Sequence, residues 1–340
     1  MNKIQSSVVP SVLALGVMAL AGCGEDPQAG GSGGSSGDDG GGSYAAVIKG
    51  LDNPFFQQME QGIDAAASDS GLEVEVQAAA SITDTSGQAD KLNAMAQQGY
   101  DCFVVNPISG TNLVQGLAQI AAQDTPVVNI DSPIDADAAE KASLDVETYI
   151  GTDNVEAGKL GGEAMVEALG GSGKVALIGG ISGDATSNAR LEGFQQGAGD
   201  LEIVQTVAAD WDRQIALTKA TDVLSANPEI KGFFSANDDM ALGIARAVAN
   251  AGKTGEIAIV GVDGIEDALK AVKAGDMYAT VAQYPYAIGE MGIQACEMAA
   301  AGESLPENVT APVAVVTNDK ADKALEAFPA PFEEFENPLA

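Results

Sequence analysis

The chain contains no histidine in its 340 residues. That absence removes the commonest general base and metal ligand, so Ser-His-Asp triads and histidine-containing zinc sites are excluded. Basic residues are scarce: 16 Lys and Arg stand against 49 Asp and Glu, a formal net charge of −33. Without a basic stripe to displace counterions, nucleic acid is excluded as a partner, and charge gives the chain no attraction to an anionic membrane. Such an acidic surface keeps a protein soluble and fits a saline habitat. Aromatics are 5% of residues against 46% hydrophobic overall, which predicts aliphatic, alanine-rich cores. Cysteine occurs three times. Cys23 closes an amino-terminal apolar run, whereas Cys102 in DCFVV and Cys296 in MGIQACEMAA read as small buried hydrophobes, with a bridge between them the less favoured alternative.

What is present begins at the amino terminus. Lys3 precedes an apolar run over 8–19 that is too short to span a bilayer and has the form of a secretory signal. The closing Leu20-Ala21-Gly22-Cys23 resembles the lipobox of bacterial lipoproteins. The resemblance implies removal of residues 1–22, lipidation of Cys23, and an exported chain anchored to the cell membrane on its periplasmic or extracellular face. Residues 24–43 are glycine, serine and acidic residues with almost nothing to bury, so 23–43 reads as the lipidated cysteine and a flexible leash. Twenty such residues reach about 25 Å.

From Tyr44 onward, short apolar runs at 44–48, 72–76, 102–105, 127–130, 148–150, 175–178, 203–206, 232–235, 257–261 and 278–282 alternate with amphipathic helical stretches. The helical stretches include 54–68, 89–98, 112–122, 155–169, 215–225 and 240–251. Continuous apolar strands alternating with helices predict parallel sheets covered on both faces. That many strands exceed one comfortable sheet, so the fold class is α/β with two doubly wound parallel sheets. Polar side chains follow six of these strands: Lys49, Asn106, Asp131, Asn237, Asp263 and Gln283. The carboxyl edge of a parallel sheet is where ligands bind, although Asn and Asp at such places also serve as helix caps. GGSGK at 170–174 and AGKTG at 251–255 are turn glycines, since neither follows a strand and opens a helix as a phosphate loop must. No DxDxDG calcium spacing appears. The sequence therefore calls for no metal and no cofactor, and an enzyme is not expected.

A resemblance joins these pieces. KGLDNPFF (49–56), NPISGTNLV (106–114), VVNID (127–131), GTDN (151–154), NARLEGF (188–194), ADWDR (209–213), ANDDMALG (236–243), VGVDG (260–264) and ATVAQYP (279–285) resemble, in order, the ribose- and allose-binding proteins. These are type I periplasmic binding proteins of sugar ABC transporters. The resemblance implies two lobes joined by three hinge crossings: 44–152 with 284–312, and 153–283 with 313–330, followed by a poorly ordered tail at 331–340. It implies ligand contacts from Lys49, Asn53, Phe55, Phe56, Asn106 and Asp131 in the first lobe, and from Arg190, Trp211, Asn237, Asp263 and Gln283 in the second. Phe56 and Trp211 would sandwich the apolar faces of a sugar ring while amides, carboxylates and Arg190 meet its hydroxyls. Lys49 resembles the allose type and Asn106 the ribose type, and Ser132 matches neither, being short enough to leave that side roomier or filled by water. The implied function is capture of a neutral monosaccharide or polyol by a monomer that delivers it to an ABC permease. The alternative is a receptor presenting its closed form to a chemoreceptor or sensor kinase.

Overall fold

The computed structural model describes residues 42–339. The signal segment, the lipidation site at Cys23 and nearly all of the leash lie outside them. The described chain opens with β1 (Ser43–Ile48), α1 (Pro54–Ser70), β2 (Glu73–Ala78), α2 (Thr85–Met95) and β3 (Cys102–Val105). It continues through α3 (Val114–Ala121), β4 (Val127–Ile130), α4 (Ala136–Ala142) and β5 (Thr148–Thr152). The same alternation resumes with α5 (Asn154–Leu169), β6 (Lys174–Gly179), α6 (Ala185–Gly197), β7 (Glu202–Ala208) and α7 (Arg213–Ala226). It runs on through β8 (Gly232–Ser235), α8 (Asp238–Asn250), β9 (Ala258–Asp263), α9 (Glu266–Ala274) and β10 (Ala279–Ala282). Then follow α10 (Pro285–Ala300), β11 (Asn308–Ala311), β12 (Ala314–Thr317) and α11 (Ala321–Ala327).

These strands form two six-stranded sheets of matching order, β2-β1-β3-β4-β5-β11 and β7-β6-β8-β9-β10-β12. The first is parallel throughout; in the second only β12 runs antiparallel. The expected α/β fold of two doubly wound lobes is the observed one. The strand interiors CFVV, VVNI, GFFS and ATVA are buried along their whole length because helices cover both faces. In β1, Ala46 and Ile48 face one core with α1 and α10, while Ala45 and Val47 face another with α2 and α3.

Five of the acidic residues have structural work at helix starts. Asp84, Asp135, Asp153, Asp184 and Asp212 each accept a backbone N–H as N-caps, where the helix dipole also favours a negative charge. Asp84 starts α2 at Thr85, four residues earlier than the apolar periodicity predicts. The strands β11 and β12 escaped the hydropathy reading because each is four residues long and they are separated only by Pro312 and Val313.

The chain passes between the sheets after β5, after β10 and after β11. The third passage leads into β12, which pairs with β10. Because α10 returns to the first sheet, Cys296 on it meets Cys102 of β3, with Cα atoms 5.7 Å apart, and the two form a disulfide. This corrects the reading of both as unpaired hydrophobes. They are fully buried as expected, but their separation of 194 residues gave no local sign that they meet. The tail at 331–339 also departs from expectation: Phe332 is 7% exposed, and Phe335 and Leu339 pack against the first lobe.

Candidate functional site

The carboxyl edges of both sheets face a cleft between the lobes, with a volume of about 60 Å³. The first lobe lines it with Lys49 after β1, Asn53 and Phe55-Phe56 at the start of α1, and Asp131-Ser132 after β4. The second lobe contributes Arg190 of α6, Trp211 before α7, Asn237 after β8 and Asp263 at the end of β9. Asn106 and Gln283 do not line it. Asn106 is fully buried, with Nδ2 3.4 Å from Met59 Sδ. Gln283 lies behind the wall and donates Nε2–H to Asp263 Oδ1 at 2.7 Å.

Local chain chemistry explains these placements. Asn53 accepts from Phe55 N–H and Asn237 from Met240 N–H, so both amide oxygens cap helices while their residues line the cavity. Capping and lining are thus compatible at one position. Asp131, Trp211 and Asp263 have φ of 60°, 63° and 133°, a region that side-chain-bearing residues rarely occupy. Strain of this kind persists where the surroundings over-determine it, and here it falls on three cavity residues. The Trp211 ring lies against Gly180, where an added Cβ would stand 2.1 Å from Trp211 Cε2. Only glycine permits that approach.

The charged groups form two clusters. In the first lobe, Lys49 Nζ donates to Ser132 Oγ at 2.5 Å, and Ser132 Oγ donates to Asp131 Oδ2 at 3.1 Å. Ser132 therefore relays between ammonium and carboxylate. Burial pulls the Lys49 ammonium below its usual pKa, against the opposing pull of Asp131 3.9 Å away. In the second lobe, Arg190 is 5% exposed. Its Nε donates to Asn154 Oδ1, and its Nη1 to Ala236 O at 2.6 Å and Asp263 Oδ1 at 3.1 Å. Burial pushes the Asp263 carboxyl up to about 8, although Arg190 pulls the other way. The Arg190 guanidinium carbon lies 5.8 Å from the Trp211 ring centre, and Lys49 Nζ lies 5.4 Å from that of Phe56.

The cavity also has walls that the sequence reading missed: Ile82 after β2, Ile108 after β3, and Ile181, Asp184 and Thr186 after β6. The strand-end rule identifies each of these loops. The β6 loop passed unnoticed because Gly180, without a polar side chain, is the first residue after the strand.

A family model described as the periplasmic binding protein domain matches residues 44–304. The chain belongs to that family. This periplasmic binding protein is 42% identical over 255 residues to the D-allose-binding periplasmic protein of Escherichia coli, covering 74% of this chain and 82% of that one. It is 31% identical over 310 residues to the ribose import binding protein of Bacillus subtilis, covering 91% and 98%. A solved ABC transporter periplasmic solute-binding protein from Actinobacillus succinogenes, with bound D-allose, superposes with a TM-score of 0.79 at 30% identity. That match covers 83% of this chain and 99% of the other.

Proposed function

We infer that this chain captures a neutral monosaccharide or polyol between its lobes and presents it to an ABC importer. The observation that carries this reading is the interlobe cleft, with aromatic side chains from both lobes beside fixed hydrogen-bonding groups. Phe56 and Trp211 cover apolar ring faces, while Asp131, Asn237, Arg190 and the relay through Ser132 meet hydroxyls. Gln283 holds Asp263 in place from behind, and Asn106 is a buried support for the Lys49 side.

Charge supports a neutral ligand. Lys49 pairs with Asp131 and Arg190 with Asp263, so each of these charged groups already has a partner of opposite sign. An ionised ligand would enter a balanced, closed site without a counter-charge, at a desolvation cost. Capture proceeds by closure, because groups from both lobes are needed at once, and the closed form is what a permease can distinguish from the empty one. The export signal and lipidation at Cys23 complete this reading by holding the domain on its leash beside the membrane. Replacing Cys23 by Ala should abolish acylation and processing of the chain as a lipoprotein.

Calorimetry against D-allose, D-ribose, xylitol, allose 6-phosphate and glucuronate tests the ligand class. Saturable binding of a neutral compound supports it; tight binding of an anionic compound with the neutral ones inert overturns it. In a thermal-shift format, a ligand at 100 times its Kd adds about 2.7 kcal/mol of stability.

A further inference from the structure

The carboxyl-terminal segment beyond α11 crosses from one lobe to the other beside the hinge. In the second lobe, Phe332 is buried in the core, its ring centre 6.5 Å from that of Tyr284 and 5.7 Å from Lys323 Nζ of α11. In the first lobe, Asn337 Nδ2 donates to Gln294 Oε1 of α10 at 2.7 Å, and Phe335 and Leu339 pack beside it. Between these anchors the segment lies over the second passage between the sheets: Gln283 and Tyr284 share a small space with Phe328 and Phe332. The family match ends at residue 304, so this crossing is outside the matched region.

We propose that residues 331–339 are a strap across the hinge, which stabilises the closed arrangement when docked on both lobes and lets go of the first lobe as the cleft opens. The two anchors differ in strength. Phe332 is enclosed and has a cation over its ring, whereas the first-lobe end has one side-chain bond to α10 and two half-buried apolar side chains. The first-lobe end therefore has fewer buried contacts to lose. Length sets the limit of travel. The chain from Phe332 to Asn337 spans at most about 17 Å when extended, and wider separation of its anchor points must free one end.

The test requires no sugar, so its failure is distinguishable from failure of the ligand reading. The full chain carrying Cys23→Ala is compared with the same chain ending at Glu334, which keeps Phe332, by small-angle X-ray scattering without ligand. Truncation should raise the radius of gyration, with the closed-to-open ratio shifting about tenfold toward open. A second variant, Gln294→Cys with Asn337→Cys, should be held at the smaller radius when oxidised and return to the parent value on mild reduction. Superimposable scattering of the parent and truncated chains overturns the proposal. If truncation unfolds the chain, the cross-linked variant decides: an oxidised form opening as widely as the reduced one also overturns it.

Discussion

The two lobes share a strand order but secure their halves of the cavity differently. The first lobe is built from two distant stretches of chain, joined by the Cys102–Cys296 disulfide between β3 and α10. Its cavity residues sit on this covalently closed body, and its aromatic pair Phe55–Phe56 packs edge to face at 5.2 Å. The second lobe contains no disulfide among the described residues. Its cavity wall is held by buried charge: Arg190 ties Asn154, Ala236 and Asp263 together. Beside it, Asp238 accepts from Gly264 N–H, Ile265 N–H and Thr280 Oγ1–H. A disulfide tolerates any pH at which it stays oxidised, whereas a charge network responds to protonation. Chemical stress should therefore affect the two walls unequally.

The largest expected effect is from Arg190→Met. It leaves the buried acceptors Asn154 Oδ1, Ala236 O and Asp263 Oδ1 without their Arg190 donor and should destabilise the protein by about 3–5 kcal/mol, since each buried acceptor left unsatisfied costs about 1–3 kcal/mol. Urea denaturation is the measurement, and a loss below about 1 kcal/mol would show that the second wall does not depend on its charges. Next is Cys102→Ala with Cys296→Ala, expected to cost about 2–5 kcal/mol of stability. With sugar present, this double variant should keep its ligand selectivity, because neither sulfur touches the cavity. Trp211→Ala should weaken sugar binding by about 2–4 kcal/mol, by analogy with buried aromatic anchors at interfaces. Because Trp211 packs only partly against the second core, thermal melting of the empty protein should move little.

The sharpest discriminator is pH. The Asp263 carboxyl is raised from 3.8 to about 8, so the folded state holds a proton that the unfolded chain gives up. Its stabilising contribution is complete below about 4 and is lost as pH rises through about 8. Asp263→Asn should flatten that part of the stability profile measured by melting between pH 5 and 9. The first lobe's disulfide variant should keep the slope. Equal slopes in the parent and Asp263→Asn would place the titration elsewhere.

The fold was legible because its signals are local. Runs such as CFVV and VVNI are buried on both faces, and each is followed within a few residues by a helix start. Nine of the eleven anticipated residues line one cavity: the strand-end rule supplied Lys49, Asp131, Asn237 and Asp263, and the family resemblance supplied Asn53, Phe55, Phe56, Arg190 and Trp211. What was not legible depends on distance. Neither cysteine carries local information about a partner 194 residues away. Whether Asn106 and Gln283 stand in the wall or behind it depends on packing depth: both are at strand ends, but Asn106 is turned to Met59 and Gln283 to Asp263. The tail read as loose because proline-rich, acidic composition says nothing about a surface elsewhere that accepts Phe332.

The left-handed backbone at Asp131, Trp211 and Asp263 also limits how this cavity can be altered. A new side chain at any of these positions inherits a conformation that β-branched residues resist, so substitutions there alter backbone energy together with chemistry. Ile108, Ser132 and Thr186 line the same cavity on ordinary backbone, and their side chains can be exchanged without that coupling. A redesign of ligand preference, in the laboratory or under selection, therefore has its freest positions on the loops after β3, β4 and β6.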